Sequence, residues 1–79
     1  MKKIKLIWDF RGPSGQKTAE HHEHHVEEFL QAKNLKAEQT GVETLNAMHS
    51  ICFLIVEEAN LEPIRNALRP HRATWYEPN

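Results

Sequence analysis

Apolar and polar residues alternate from Lys3 to Phe10, so Ile4, Leu6, Trp8 and Phe10 fall on one face of an extended segment. This predicts a first β-strand, ended by the turn chemistry of Gly12-Pro13-Ser14-Gly15. The period then changes. Ala19, Val26, Phe29 and Leu30 recur at helical spacing among charged residues, predicting an amphipathic helix capped by Ser14 or Thr18 and reaching about Leu35. After the polar stretch Lys36 to Gln39, Thr40 to Leu45 reads as a second strand and Asn46-Ala47-Met48 as a hairpin connection. Ser50 to Val56 is almost wholly apolar, which suits a strand buried on both faces. Asn60 is placed to cap a short helix that accepts Pro63 in its first turn, turns Ile64, Ala67 and Leu68 inward, and is stopped by Pro70. Arg72 to Glu77, around Trp75, forms a last strand.

Strand, helix, strand, strand, helix, strand is the order of an α+β, ferredoxin-like βαββαβ sandwich, a four-stranded antiparallel sheet with two helices on one face. Right-handed crossovers put the first and third strands in the centre. The uncovered sheet face then carries Ile7 with either Cys52, Leu54 and Val56 or the alternate residues of that strand. An apolar open face predicts a homodimer formed through it.

With 39% hydrophobic and 27% charged residues, the 79-residue chain has the composition of one folded domain, 1–79. A net charge of −1 leaves no basic surface for a phosphate backbone, which argues against a nucleic-acid partner. No apolar run approaches the ~18 residues of a membrane span, so no membrane role is expected. Met1-Lys2-Lys3 before Ile4 to Phe10 has the look of a secretory leader. Lys5 and Asp9 interrupt it and no small-residue cleavage site follows, so none is expected. Cys52 is the single cysteine, which forbids an internal disulfide and points to a reducing, cytoplasmic setting.

The chemistry of the chain is concentrated in six histidines, four of them in His21-His22-Glu23-His24-His25. On a helix, His21 lies three residues from His24 and four from His25, so their imidazoles share a surface. The expected topology gathers the rest at the same end of the sheet. Asp9 leaves the first strand there, His49 opens the third, and His71 precedes the fourth. With Val26 and Leu30 marking the inward direction, His22 points in, His25 sits at the border, and His21 and His24 face solvent. The expected metal ligands are therefore His22, His25, His49 and His71, with Asp9 as an oxygen ligand or imidazole orienter. Such donors suit nickel, zinc or copper.

Blander readings apply to the same residues. His22 also fits a packed core-edge imidazole, and Cys52 a small buried hydrophobe that the pleat turns away from His49. Trp8, Phe10, Trp75 and Tyr76 fit core or interface. Arg11, Arg65, Arg69 and Arg72 are scattered, three of them near the histidine end. Gly12 to Gly15 lacks the Gly-Lys-Ser/Thr of a phosphate loop.

Trp8-Asp9-Phe10-Arg11-Gly12, a histidine-bearing helix, His49-Ser50 opening a strand that ends Ile55-Val56-Glu57-Glu58-Ala59, and a closing Trp75-Tyr76-Glu77-Pro78 together form a pattern. It resembles the small ferredoxin-like, dimeric α/β-barrel proteins of bacteria, one branch of which is described as nickel-binding. The resemblance implies a dimer built through sheet faces and affinity for a divalent transition metal. No metal ligand carries over residue by residue. Other proteins of this superfold are cofactor-independent monooxygenases and isomerases, and fold alone does not choose among them.

Three functions compete on this evidence. One is metal binding without turnover. Another is an enzyme with His22 or His49 as general base, Asp9 orienting it, Trp8, Phe10 and Arg11 binding a small-molecule ligand, and a pocket lined by Trp8, Phe10, Phe53 and Trp75. The third is an interaction domain whose histidines are surface.

Overall fold

The backbone of β1 (Lys3–Arg11) is paired along both edges, with β3 (His49–Glu57) on one side and β4 (Arg72–Tyr76) on the other. β2 (Gln39–Asn46) completes the sheet on the far side of β3, giving the antiparallel order β2-β3-β1-β4. This is the ferredoxin-like βαββαβ arrangement expected of the sequence, with β1 and β3 central. The computed structural model describes residues 2–77. Met1 and Pro78, named in the motifs above, lie outside them.

Alternation along the two central strands sorts their side chains between two environments. Ile4, Leu6 and Trp8 of β1 and Cys52, Leu54 and Val56 of β3 face the helices and form one core with Ala19, Val26, Leu30 and Ile64. The open face therefore carries the alternate set, Ile7, Ile51, Phe53 and Ile55. Ile7, Ile51 and Ile55 are nevertheless buried. The Phe53 ring lies across Gly41, where a Cβ would approach it to 2.7 Å, and the Lys5 ammonium sits 4.7 Å from the ring centre. Arg72, in register with Ile7, reaches along β1 to Asp9. The uncovered face is thus an apolar floor under a layer of long polar side chains.

Helix α1 (Gly15–Ala32) stops three residues short of the Leu35 expected from the periodicity. Asn34 takes a left-handed conformation (φ 54°), its N–H bonds to the Gln31 carbonyl, and the Leu35 N–H bonds to the Leu30 carbonyl. That is the Schellman ending, which turns Leu35 back onto the core instead of extending the helix. At the other end Ser14 occupies the cap position without a side-chain hydrogen bond, while the Thr18 hydroxyl donates to the Ser14 carbonyl. The first turn is seated on β1. A Cβ on Gly15 would stand 2.7 Å from the Phe10 carbonyl oxygen, and Gly12 (φ 103°) donates its N–H to Met48 in the β2–β3 hairpin.

A single 3-10 turn, Glu58–Asn60, leads into α2 (Leu61–Leu68), which ends on left-handed Arg69 before Pro70. Asn60 holds the cap position of α2, again without a side-chain bond. Among the described residues no helix is long and apolar enough to cross a membrane.

Candidate functional site

Trp8, Asp9 and Phe10 are consecutive on β1, and the pleat sends Asp9 to the face opposite its neighbours. This divides the histidine end of the domain into two compartments.

On the helix side, α1 lays the His22 ring against Trp8 and Phe10, with ring centres 4.8 and 5.6 Å apart. The Trp8 indole N–H donates to the carbonyl of Leu68 at the end of α2, at 2.8 Å. His22 Nε2 is buried and has no hydrogen-bond partner within the protein. Burial holds the His22 pKa below its ordinary value, and the charges of His25 and His71 push the same way. His71 docks on the edge of β1. Its backbone N–H donates to the Ile7 carbonyl, and its Nδ1 accepts the Asp9 N–H at 2.8 Å. That acceptor role requires Nδ1 to be unprotonated.

On the open face, the Asp9 carboxylate is bound from two strands. Oδ1 accepts from His49 Nε2 at 2.7 Å and from Arg72 Nη2 at 2.9 Å, and Oδ2 accepts from Arg72 Nε at 2.8 Å. The Arg72 hydrogen bonds are the main cause of a lowered Asp9 pKa; His49 lowers it further and burial opposes both. An ionised carboxylate only accepts, so His49 donates through Nε2–H, and in the neutral ring Nδ1 keeps its lone pair. Exposed Arg11 stands opposite His49 in the β1–β3 register, on the same face.

The outer surface of α1 holds a third feature. His21 and His25, one helical turn apart, bring their Nε2 atoms to 3.0 Å, with the rings 78° apart. The Nδ1 of His25 faces the Glu28 carboxylate at 3.5 Å.

The expected set His22, His25, His49 and His71 is therefore brought to one end of the domain without converging. His22 points inward as expected and His49 meets Asp9. His25, expected at the border, is exposed and turns outward to His21, while His71 is engaged with the Asp9 backbone. Among the described residues no three of His, Cys, Asp and Glu are arranged to hold a metal ion. The expected pocket lined by Trp8, Phe10, Phe53 and Trp75 does not form either. Phe53 occupies the opposite sheet face, and exposed Trp75 lies beneath the Lys2 ammonium, 5.2 Å from its ring centre. Of the expected ligand-binding residues, Trp8 is core, Phe10 packs on histidines, and Arg11 is across the sheet from both. Two clefts among the described residues lie elsewhere. One, of about 410 Å³, is lined by residues 34–38 with Glu57 and Asn60, and another, of about 530 Å³, lies between Phe29, Lys33, Leu35, Pro63, Asn66 and Ala67.

Two participants carried weaker sequence signals. Arg72 was one of several scattered arginines until the β1–β4 register placed it beside Asp9. The His21–His25 pair is legible as an i, i+4 spacing, but it lies on the solvent face of α1, away from the inward-facing histidine.

No protein-family model matches the chain, and comparison with curated proteins and with solved structures likewise gives no match.

Proposed function

We propose that this chain binds a divalent transition metal, zinc, nickel or copper, through imidazole nitrogens on the outer face of α1. The observation that carries this is the 3.0 Å approach of His21 Nε2 to His25 Nε2. With metal–nitrogen bonds of ~2.0–2.1 Å, two ligands on one ion lie roughly 2.9 Å apart at a right angle and ~3.3 Å apart in a tetrahedron. The i, i+4 spacing brings the two exposed rings within that range, and the N–H···N hydrogen bond between them gives up its proton when an ion takes its place. Glu28 beside His25 Nδ1 favours the tautomer that leaves Nε2 free to coordinate. A reducing cytoplasmic setting, in which Cys52 stays a thiol, is compatible with this role.

Calorimetric titration of metal-free protein tests the proposal. Saturable binding should weaken as pH falls, because protons compete with the ion for the imidazole nitrogens. It should be lost in both His21→Ala and His25→Ala and kept in His24→Ala. Equal affinity in all three variants would remove the pair from consideration.

A second reading is favoured by a different observation, the 2.7 Å His49–Asp9 contact. Asp9 fixes the imidazole with Nδ1 free, the arrangement of an oriented general base, and Arg11 is placed to meet an anionic group on a small substrate. In this reading a homodimer through the open face would close the site over Ile7, Ile51 and Phe53. Light scattering reports the dimer, and His49→Gln should abolish any proton-transfer activity found.

A further inference from the structure

We infer that the metal site is completed by a second copy of this chain, the His21–His25 pairs of two α1 helices holding one ion between them. This rests on the metal-binding reading above and goes beyond it in naming the remaining ligands.

One chain offers the ion two nitrogens. Among the described residues no further His, Cys, Asp or Glu joins them to make a metal-binding group. His49 is tied to Asp9 across the sheet, His71 Nδ1 accepts a backbone N–H, and the His22 ring is packed under α1 against Trp8. Closed zinc sites take four ligands. Two imidazoles from each of two chains supply them, and a twofold axis through the ion makes the two halves equivalent.

The surface around the pair fits that occupant. Lys17, His21, His25 and Glu28 follow one another at i, i+4, i+8 and i+11 along one exposed stripe of α1. A twofold axis through the midpoint of the histidine pair, perpendicular to the helix, brings a second α1 alongside in antiparallel sense. Lys17 of each copy then lies about one residue, roughly 1.5 Å along the axis, from the height of the other copy's Glu28. Opposite charges therefore meet on both sides of the ion. Parallel packing would instead set Lys17 against Lys17 and Glu28 against Glu28.

The test is light scattering during titration of the full metal-free chain with zinc, with bound zinc counted in parallel. The expected result is a doubling of the metal-free mass at one zinc per two chains, reversed by chelator and absent in His21→Ala and His25→Ala. Lys17→Glu should weaken the doubling by like-charge repulsion, and adding Glu28→Lys in the same chain should restore it. Tight binding at one zinc per chain with unchanged mass would overturn the shared site while leaving metal binding intact. No saturable binding would overturn both. Mass doubling that persists in His25→Ala would place the interface elsewhere and overturn the shared site.

Discussion

His49 Nε2 stands 2.7 Å from Oδ1 of Asp9, and through that carboxylate three strands are joined, because Arg72 of β4 grips both of its oxygens. Side-chain exposure is 13% for His49 and 15% for Asp9, so the contact is well shielded, while Arg72 at 53% is open to water. Asp9→Asn keeps the shape and removes the charge. It should cost about 1–3 kcal/mol at neutral pH, towards the low end because water screens Arg72. The sign with pH follows from the lowered Asp9 pKa. The unfolded chain binds the proton more readily, so this contribution is complete above about pH 4 and disappears as pH falls through the folded-state pKa. Denaturant midpoints of wild type and Asp9→Asn should therefore begin to converge as pH falls below about 4 and meet only below the folded-state pKa. A constant gap down to pH 2 would show that the carboxylate charge is not what the site uses.

His22 carries a buried nitrogen without a partner, a cost that an apolar ring of similar size would not bear. His22→Phe should therefore raise stability by about 1 kcal/mol in metal-free protein at pH 7. A loss of stability would mean that Nε2 finds a water or ligand partner in solution.

Gly15 opens α1, where alanine would normally gain about 1 kcal/mol in a helix. Here a Cβ would meet the Phe10 carbonyl oxygen at 2.7 Å, and that oxygen belongs to a paired strand. Gly15→Ala should lower stability by about 1–3 kcal/mol, the cost of displacing backbone. Thermal denaturation decides between the two signs.

Cys52 lies in the core, and burial, with smaller contributions from Glu23 and Glu27, pushes its thiol up to about 12. Only the thiolate reacts, so a disulfide reagent at pH 8 should label native protein slowly and denaturant-unfolded protein at once. Rapid stoichiometric labelling of the native state would place Cys52 outside the core.

The order of elements, the centrality of β1 and β3, the burial of Cys52 and the inward turn of His22 were all legible in the chain. Each follows from periodicity or from handedness, which act locally or through topology alone. The division of the histidines was not. Its ingredients were present, since adjacent positions on a strand face opposite ways. Gathering residues at one end of a sheet is a statement about topology, whereas bringing atoms into contact depends on register and face. Pairing Asp9 with Ile51 and Ile7 with Arg72 fixed which side chains reach the carboxylate, and no local pattern encodes those pairings.

By itself, then, the sequence determined the ferredoxin-like architecture and the end of the domain where imidazoles collect, because hydrophobic period and turn chemistry are properties of neighbouring residues. The His21–His25 pair follows from an i, i+4 spacing on one helix, but tertiary structure alone decided that His49 meets Asp9, that Arg72 joins them, and that the His22 ring packs against Trp8. Those outcomes depend on how strands align and which rotamers the packed surfaces leave open. They are set by residues up to 63 positions apart in the chain.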